Sequence, residues 1–139
     1  MSVESNKATM RSFFGEVISQ GKVDLLDQIA TVGFQYHDGD HHVTSAAEMK
    51  ELVDGYRNAL NHLRATVVEV FGEDDKVATR VVFTGTHNGD LMGVAPTGRP
   101  VNFTLTMVSQ FAGDQISEVW INWDALTVLR QIGGYEGAG

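Results

Sequence analysis

Two hydrophobic periods divide this sequence, and their order constrains the fold more than any other feature. In the first half, apolar residues fall at helical spacing. Met10, Phe13, Phe14, Val17 and Ile18 stand at i, i+3, i+4, i+7 and i+8, one apolar stripe of a helix. Gly21 suits the left-handed residue that ends such a helix. Val23, Leu25, Leu26 and Ile29 predict a second, short helix. Ser45-Ala46-Ala47-Glu48 has capping-box spacing and opens a third, with the stripe Met49, Leu52, Val53, Tyr56 and Leu60.

The second half has strand character. Leu63–Phe71 and Lys76–His87 are rich in Val, Thr and Phe and are separated by the turn residues Gly72–Asp75. Val101–Phe111 and Gln115–Trp123 form a second pair, joined at Ala112-Gly113-Asp114. The Gly-rich segment Asn88–Pro100 connects the two hairpins and holds both prolines. Asp124–Ile132 returns to helical spacing at Leu126, Leu129 and Ile132.

Helices first and an antiparallel meander afterwards is an α+β pattern. It predicts N-terminal helices packed on a curved, mostly antiparallel sheet that encloses an apolar pocket, the default ligand site. The alternating order of a doubly wound sheet is absent, as are GxGxxG and P-loop motifs. The expected unit is one domain over 1–133, with 134–139 as a flexible Gly-rich tail.

Charge narrows the partners. Ten Lys and Arg against 18 Asp and Glu give a net charge of −8, which argues against a nucleic-acid or anionic-membrane binder. A hydrophobic fraction of 42% supports a real core. The absence of Cys excludes a disulfide framework, a Cys-zinc site and a thiol nucleophile. There is no apolar run long enough for a membrane span, and MSVESNKATMRSFF lacks a signal-peptide core, so a cytoplasmic location is the expectation. No GxSxG is present, and no Lys follows Lys76, which disfavours serine-hydrolase and Schiff-base chemistry.

Several residues are candidates for a site. By simple alternation Ile116, Glu118, Trp120, Asn122 and Asp124 share one face of the last strand. If that face lines the pocket, Asp124 is a desolvated carboxylate suited to moving protons, with Trp120 and Asn122 beside it. Asp124 also stands where the last helix needs an N-cap. His37 follows the strand-like start Phe34-Gln35-Tyr36 and is either a pocket residue or a hydrogen-bonded core histidine. The run HDGDHH (37–42) offers His and carboxylate groups to a metal, but its spacing matches no metal motif and Asp38-Gly39 suits a turn; no metal is expected. His87 suits the pocket rim or a brace for the loop after it. Met92, with Leu91 and Val94, suits a cover over the pocket mouth. Phe14 or Ile18 is the stripe member placed to meet a ligand.

Two longer motifs carry a resemblance. Gly85-Thr86-His87-Asn88-Gly89 with Met92-Gly93-Val94-Ala95-Pro96-Thr97-Gly98-Arg99 resembles the central signature of SnoaL-like polyketide cyclases. Glu118-Val119-Trp120-Ile121-Asn122-Trp123-Asp124-Ala125-Leu126, followed by Leu129 and Gln131-Ile132-Gly133, is similar to that family's tail, and Tyr36-His37-Asp38 to its Tyr/Val–Asp–His element. The resemblance implies the cone-shaped fold of the nuclear transport factor 2-like superfamily, which also holds ketosteroid isomerases, limonene epoxide hydrolases and non-catalytic binding modules. It implies a homodimer through the outer sheet face and an enzyme that needs no cofactor. The reaction implied is intramolecular aldol closure of a bulky, apolar polyketide-like or polycyclic molecule, with Asp124 as general acid/base. Gln110 departs from the pattern, since the cyclases commonly have a histidine there; Gln can hydrogen-bond a carbonyl but cannot exchange protons. A hydroxylase-type or epoxide-hydrolase-type relative and a non-catalytic binding module are the alternatives the resemblance leaves open.

Overall fold

Ser2 starts the first helix. Its hydroxyl accepts the Ser5 N–H while the Ser5 hydroxyl accepts the Ser2 N–H, a reciprocal cap on α1 (Val3–Ser12). This computed structural model describes residues 2–135. α1 continues into a π-type turn, Phe13–Ile18, and the predicted stripe from Met10 to Ile18 is buried throughout. Gly21 follows at φ 75°, the left-handed conformation expected of it. A 3-10 turn (Val23–Leu25) and α2 (Leu26–Ile29) then lead into the sheet.

Six strands form one sheet: β1 (Ala30–Asp38), β2 (His41–Val43), β3 (Leu60–Glu73), β4 (Lys76–His87), β5 (Pro100–Ala112) and β6 (Gln115–Trp123). Their spatial order is β2-β1-β6-β5-β4-β3. β1 and β6 run parallel and every other neighbouring pair is antiparallel. The four C-terminal strands match the sequence reading to within a few residues. β1 and β2 correct it, because that stretch was read as a strand-like start followed by a polar turn. HDGDHH is the tip of the β1–β2 hairpin, with His37 opposite His42, Asp38 opposite His41, and Gly39 at φ 59° in the turn.

α3 (Ala46–Ala59) is capped by Ser45, whose hydroxyl accepts the Glu48 N–H at 3.1 Å. α4 (Ala125–Ile132) is capped by Asp124 and ends at Gly133, φ 82°. Gln131 fastens α4 to the sheet: its amide donates to the Asn102 carbonyl at 2.8 Å and its carbonyl accepts the Asn102 N–H at 2.9 Å. α1, the π turn and α3 pack on the concave face of the sheet, where Val77, Val81, Leu105, Met107, Val119 and Ile121 are buried. Of the tail, Gly134 donates to the Leu129 carbonyl at 2.8 Å and Arg130 stands over the Tyr135 ring. Residues 136–139 of that tail lie outside the described residues. No described helix is long and apolar enough to cross a membrane.

Candidate functional site

An apolar cavity lies between the helical layer and the sheet. Phe13, Phe14 and Ile18 wall it from the first helix, and Met49, Leu52, Val53 and Tyr56 from α3. Tyr36, Phe83, Phe103, Met107 and Trp123 are among the strand residues that complete it. Its volume is about 70 Å³. Drug-sized ligands occupy pockets of about 300 Å³ and upward, so this conformation holds only part of a polycyclic molecule. Phe14, expected from the first stripe to meet a ligand, lines the cavity, and so does Ile18.

The polar groups of this wall converge on one carboxylate. The Trp123 indole N–H donates to Asp38 Oδ2 at 2.9 Å, and the Tyr36 hydroxyl donates to the same oxygen at 3.4 Å. Asp38 Oδ1 has no hydrogen-bond partner among the described residues. Burial, with Tyr56 and Asp38 close by, holds the Tyr36 phenol well above its ordinary range. Burial and then Asp38 push the Tyr56 phenol up as well. Both hydroxyls therefore keep their protons at neutral pH. The result is a half-buried carboxylate that does not itself line the cavity but is tied by one oxygen to two residues that do, Tyr36 and Trp123, with the neutral phenol of Tyr56 nearby.

The last strand is where the sequence reading fails. Ile116 is buried, but so are Val119 and Ile121, which have the opposite parity. The β5–β6 register slips between Gln110 and Phe111: Gln110 faces Glu118 while Phe111 faces Ile116. The extra residue in β6 makes a bulge, and a bulge switches which side chains point inward. Glu118, Trp120 and Asn122 consequently lie on the outer face, and Trp123 turns to the cavity. Asp124 caps α4. Its carboxylate accepts the Thr127 hydroxyl at 2.6 Å and the Thr127 N–H at 2.9 Å. Those two bonds, with Arg130 nearby, lower its pKa below the ordinary value of 3.8, the reverse of the desolvated carboxylate expected.

The other candidates are also away from the cavity. His37 is on the outer face, where its Nε2 is 2.5 Å from Glu118 Oε2 and its ring stacks on Trp120 with centroids 5.6 Å apart. Gln110 is half-buried and donates to the Phe111 carbonyl at 3.4 Å. His87 is fully buried and braces the Gly-rich loop: the Thr97 N–H donates to its Nδ1 at 3.3 Å, and the Gly98 N–H donates to its carbonyl at 2.7 Å. Met92 stands exposed at φ 50° and does not cover the cavity. Among the described residues no three His, Cys, Asp or Glu gather to hold a metal ion.

None of Asp38, Tyr36, Tyr56 and Trp123 is singled out as a site residue by the sequence, although Tyr36 and Asp38 lie in the element similar to the family's Tyr/Val–Asp–His, Tyr56 on the third helical stripe and Trp123 in the tail motif. Alternation from Phe34 would have placed Tyr36 and Asp38 together on the buried face, with His37 opposite them.

Comparison with known proteins places these features in a family. The model of the SnoaL-like polyketide cyclase family matches residues 8–132. Among curated proteins none matches the chain. Among solved structures, AclR, a candidate hydroxylase from Streptomyces galilaeus, is 25% identical with a TM-score of 0.86, over 99% of this chain and 87% of that one. IdmH, a candidate polyketide cyclase from Streptomyces antibioticus, is 27% identical with a TM-score of 0.79, over 92% and 98%. A Catenulispora acidiphila protein with a ketosteroid isomerase-like fold, crystallised with trimethylamine, superposes with a TM-score of 0.76 at 16% identity, over 90% and 92%, a likeness of fold alone.

Proposed function

The chain belongs to the SnoaL-like polyketide cyclase family, and from that premise we propose that it is an enzyme that moves protons on an apolar, polyketide-like carbonyl compound without a cofactor. Asp38 is the base in this reading. Its open Oδ1 takes a proton from the carbon next to a carbonyl, and the neutral phenols of Tyr36 and Tyr56 donate to the enolate oxygen that forms. The enolate carbon then attacks a second carbonyl of the same molecule, a carbon–carbon bond closes, and the new alkoxide recovers the proton. The observation that carries the reading is the convergence of two cavity-wall donors, Tyr36 and Trp123, on one oxygen of Asp38, with the other left unpaired among the described residues. A whole polycycle needs more room than about 70 Å³. Rotation of Met49, Leu52 and Tyr56 on α3 is the simplest way to supply it, since methionine adapts readily.

The test is deuterium exchange at the α-carbon of polyketide-derived aromatic ketones in heavy water, followed by NMR. General-base catalysis contributes on the order of a hundredfold or more, so Asp38→Asn should slow exchange by at least that factor. Asp124→Asn, which keeps a capping side chain, should exchange at the wild-type rate. The reverse pattern would restore Asp124 as the base. The likeness to AclR favours hydroxylation as the second reading; substrate-dependent oxygen uptake would establish it.

We further propose that two copies associate through the outer sheet face. Phe71, Val108 and Trp120 are exposed there and stand in one row across the strands, with Ala78 between the first two. Light scattering should give a dimer, and Phe71→Glu with Val108→Glu should give a monomer.

A further inference from the structure

A second concavity lies on the other side of Leu63 from the apolar cavity, at the free edge of the sheet. It is an open groove of about 800 Å³ between the end of the first helix, the last turn of α3 and β3. Arg11, Arg57, Arg64 and His62 line it, and no Asp or Glu is among the described residues that do. Three of the six arginines of a chain with net charge −8 therefore share one groove.

These arginines are unspent. Outside the groove Lys7, Lys22, Lys50 and Arg80 sit on carboxylates, Arg80 on Glu69 at 2.7 Å and Lys50 on Asp27 at 2.8 Å, while Arg130 stands over the Tyr135 ring. Among the described residues Arg11, Arg57 and Arg64 make no ion pair. Arg57 is held in place instead. Its Nη1 donates to the Ile18 carbonyl at 2.7 Å and the Ser19 carbonyl at 2.8 Å, which leaves Nε and Nη2 without an acceptor among the described residues. Gly21 lets it sit so close, since a Cβ there would lie 2.7 Å from Nε. The floor is unusual too. The β3–β4 register breaks between Asn61 and Arg64, and inside that break His62 has φ 57°, a left-handed conformation costly for a residue with a Cβ. Such strain collects where a side chain must be aimed.

We propose that this groove binds the phosphate group of a small phosphate ester. Guanidinium forks match the oxygens of a phosphate, which carries more charge and more acceptor positions than a carboxylate. Exposed Arg11 and Arg64 supply the mobile donors, and anchored Arg57 the fixed one. Leu63 is a wall common to the groove and the apolar cavity, although the groove shares none of the residues around Asp38. The proposal does not depend on the proton-transfer reading, and either can fail alone.

Amide chemical shifts titrated with inorganic pyrophosphate, at ionic strength held constant with sodium chloride, test it. Saturable shifts confined to the groove, around residues 62–66, are expected. Loss of the charge-assisted bonds in Arg11→Gln with Arg64→Gln should weaken binding about tenfold or more. Both residues are exposed, so the variant should fold, and its melting temperature checks this. Shifts that rise linearly without saturating, or a variant that binds as well as the wild type, would overturn the proposal. So would equal binding of acetate, or groove shifts that follow protein concentration without any anion, which would mean a second copy fills the groove.

Discussion

The bond between the Trp123 indole and Asp38 is the feature of the candidate site most open to direct measurement. Trp123→Phe keeps an aromatic ring against Phe103, now at 5.5 Å, and removes only the N–H that reaches Asp38 at 2.9 Å. A hydrogen bond to a charged group contributes about 1.5–3 kcal/mol when solvent is excluded. Asp38 and Trp123 are both half-buried, so water competes, and about 1 kcal/mol is the better expectation. A double-mutant cycle with Asp38→Ala isolates that coupling, because the Tyr36–Asp38 contact at 3.4 Å is lost on both arms and cancels. Urea unfolding can be followed by the fluorescence of Trp120, the tryptophan that remains. The single change should also lower the melting temperature by about 3 °C. Additivity of the two substitutions within about 0.3 kcal/mol would mean that the bond does not form in solution. Asp38 would then have no fixed orientation beside the cavity, and its role as a positioned base would fall with it.

Other expectations follow from single contacts. Gly89→Ala would put a Cβ 2.6 Å from the Asn58 carbonyl oxygen and displace the Asn88 and Gly89 N–H groups from the Ala59 carbonyl. Thermal denaturation should show a loss of about 2–3 kcal/mol. Gly15→Ala meets nothing within 4 Å and should be neutral, or stabilising by up to about 1 kcal/mol. Asp38→Asn removes a negative neighbour that raises both Tyr36 and Tyr56; both phenols should then ionise at lower pH in an ultraviolet titration. Asp124 has a folded-state pKa below its ordinary 3.8, so its cap bonds stabilise above that pH and fade as pH falls through the lowered value. Asp124→Asn should abolish that acid-linked loss in melting curves taken below about pH 4.

The helical half was legible because its stripes are long and regular. Phe13, Phe14 and Ile18 of the first stripe and Met49, Leu52, Val53 and Tyr56 of the second wall the cavity, and the spacing of the stripes alone indicates which side they face. The GTHNG motif was legible in part: of the two roles open to His87, rim or loop brace, the brace is the one found, while the need for Gly89 where the loop crosses the Asn58 backbone was not readable. β1 and β2 were obscured by composition, since HDGDHH is polar and contains a turn pair. The pairing that makes strands of it comes from β6, distant in sequence and parallel to β1.

One inserted residue accounts for where the last-strand candidates lie. A strand's side chains alternate, so a face deduced from one anchor is right only while the count is unbroken. Ile116 is a sound anchor, buried as expected, but the bulge after it shifts the count and reverses the faces read for Glu118, Trp120 and Asn122, while the N-cap reading of Asp124 holds. Pairing geometry, rather than composition, signals such a bulge: Gln115–Trp123 contains no Gly or Pro to mark it. The bulge decides what the cavity contains. Without it Trp120 would face the apolar interior, with Glu118 and Asn122 beside it and their polar groups desolvated at a cost. With it, Glu118 meets His37 on the outer face, and the indole of Trp123 reaches the one carboxylate that β1 turns inward. The polar centre of the site is thus assembled from two strands whose registers depend on each other. That juxtaposition of Asp38 and Trp123 could not be read from either strand alone.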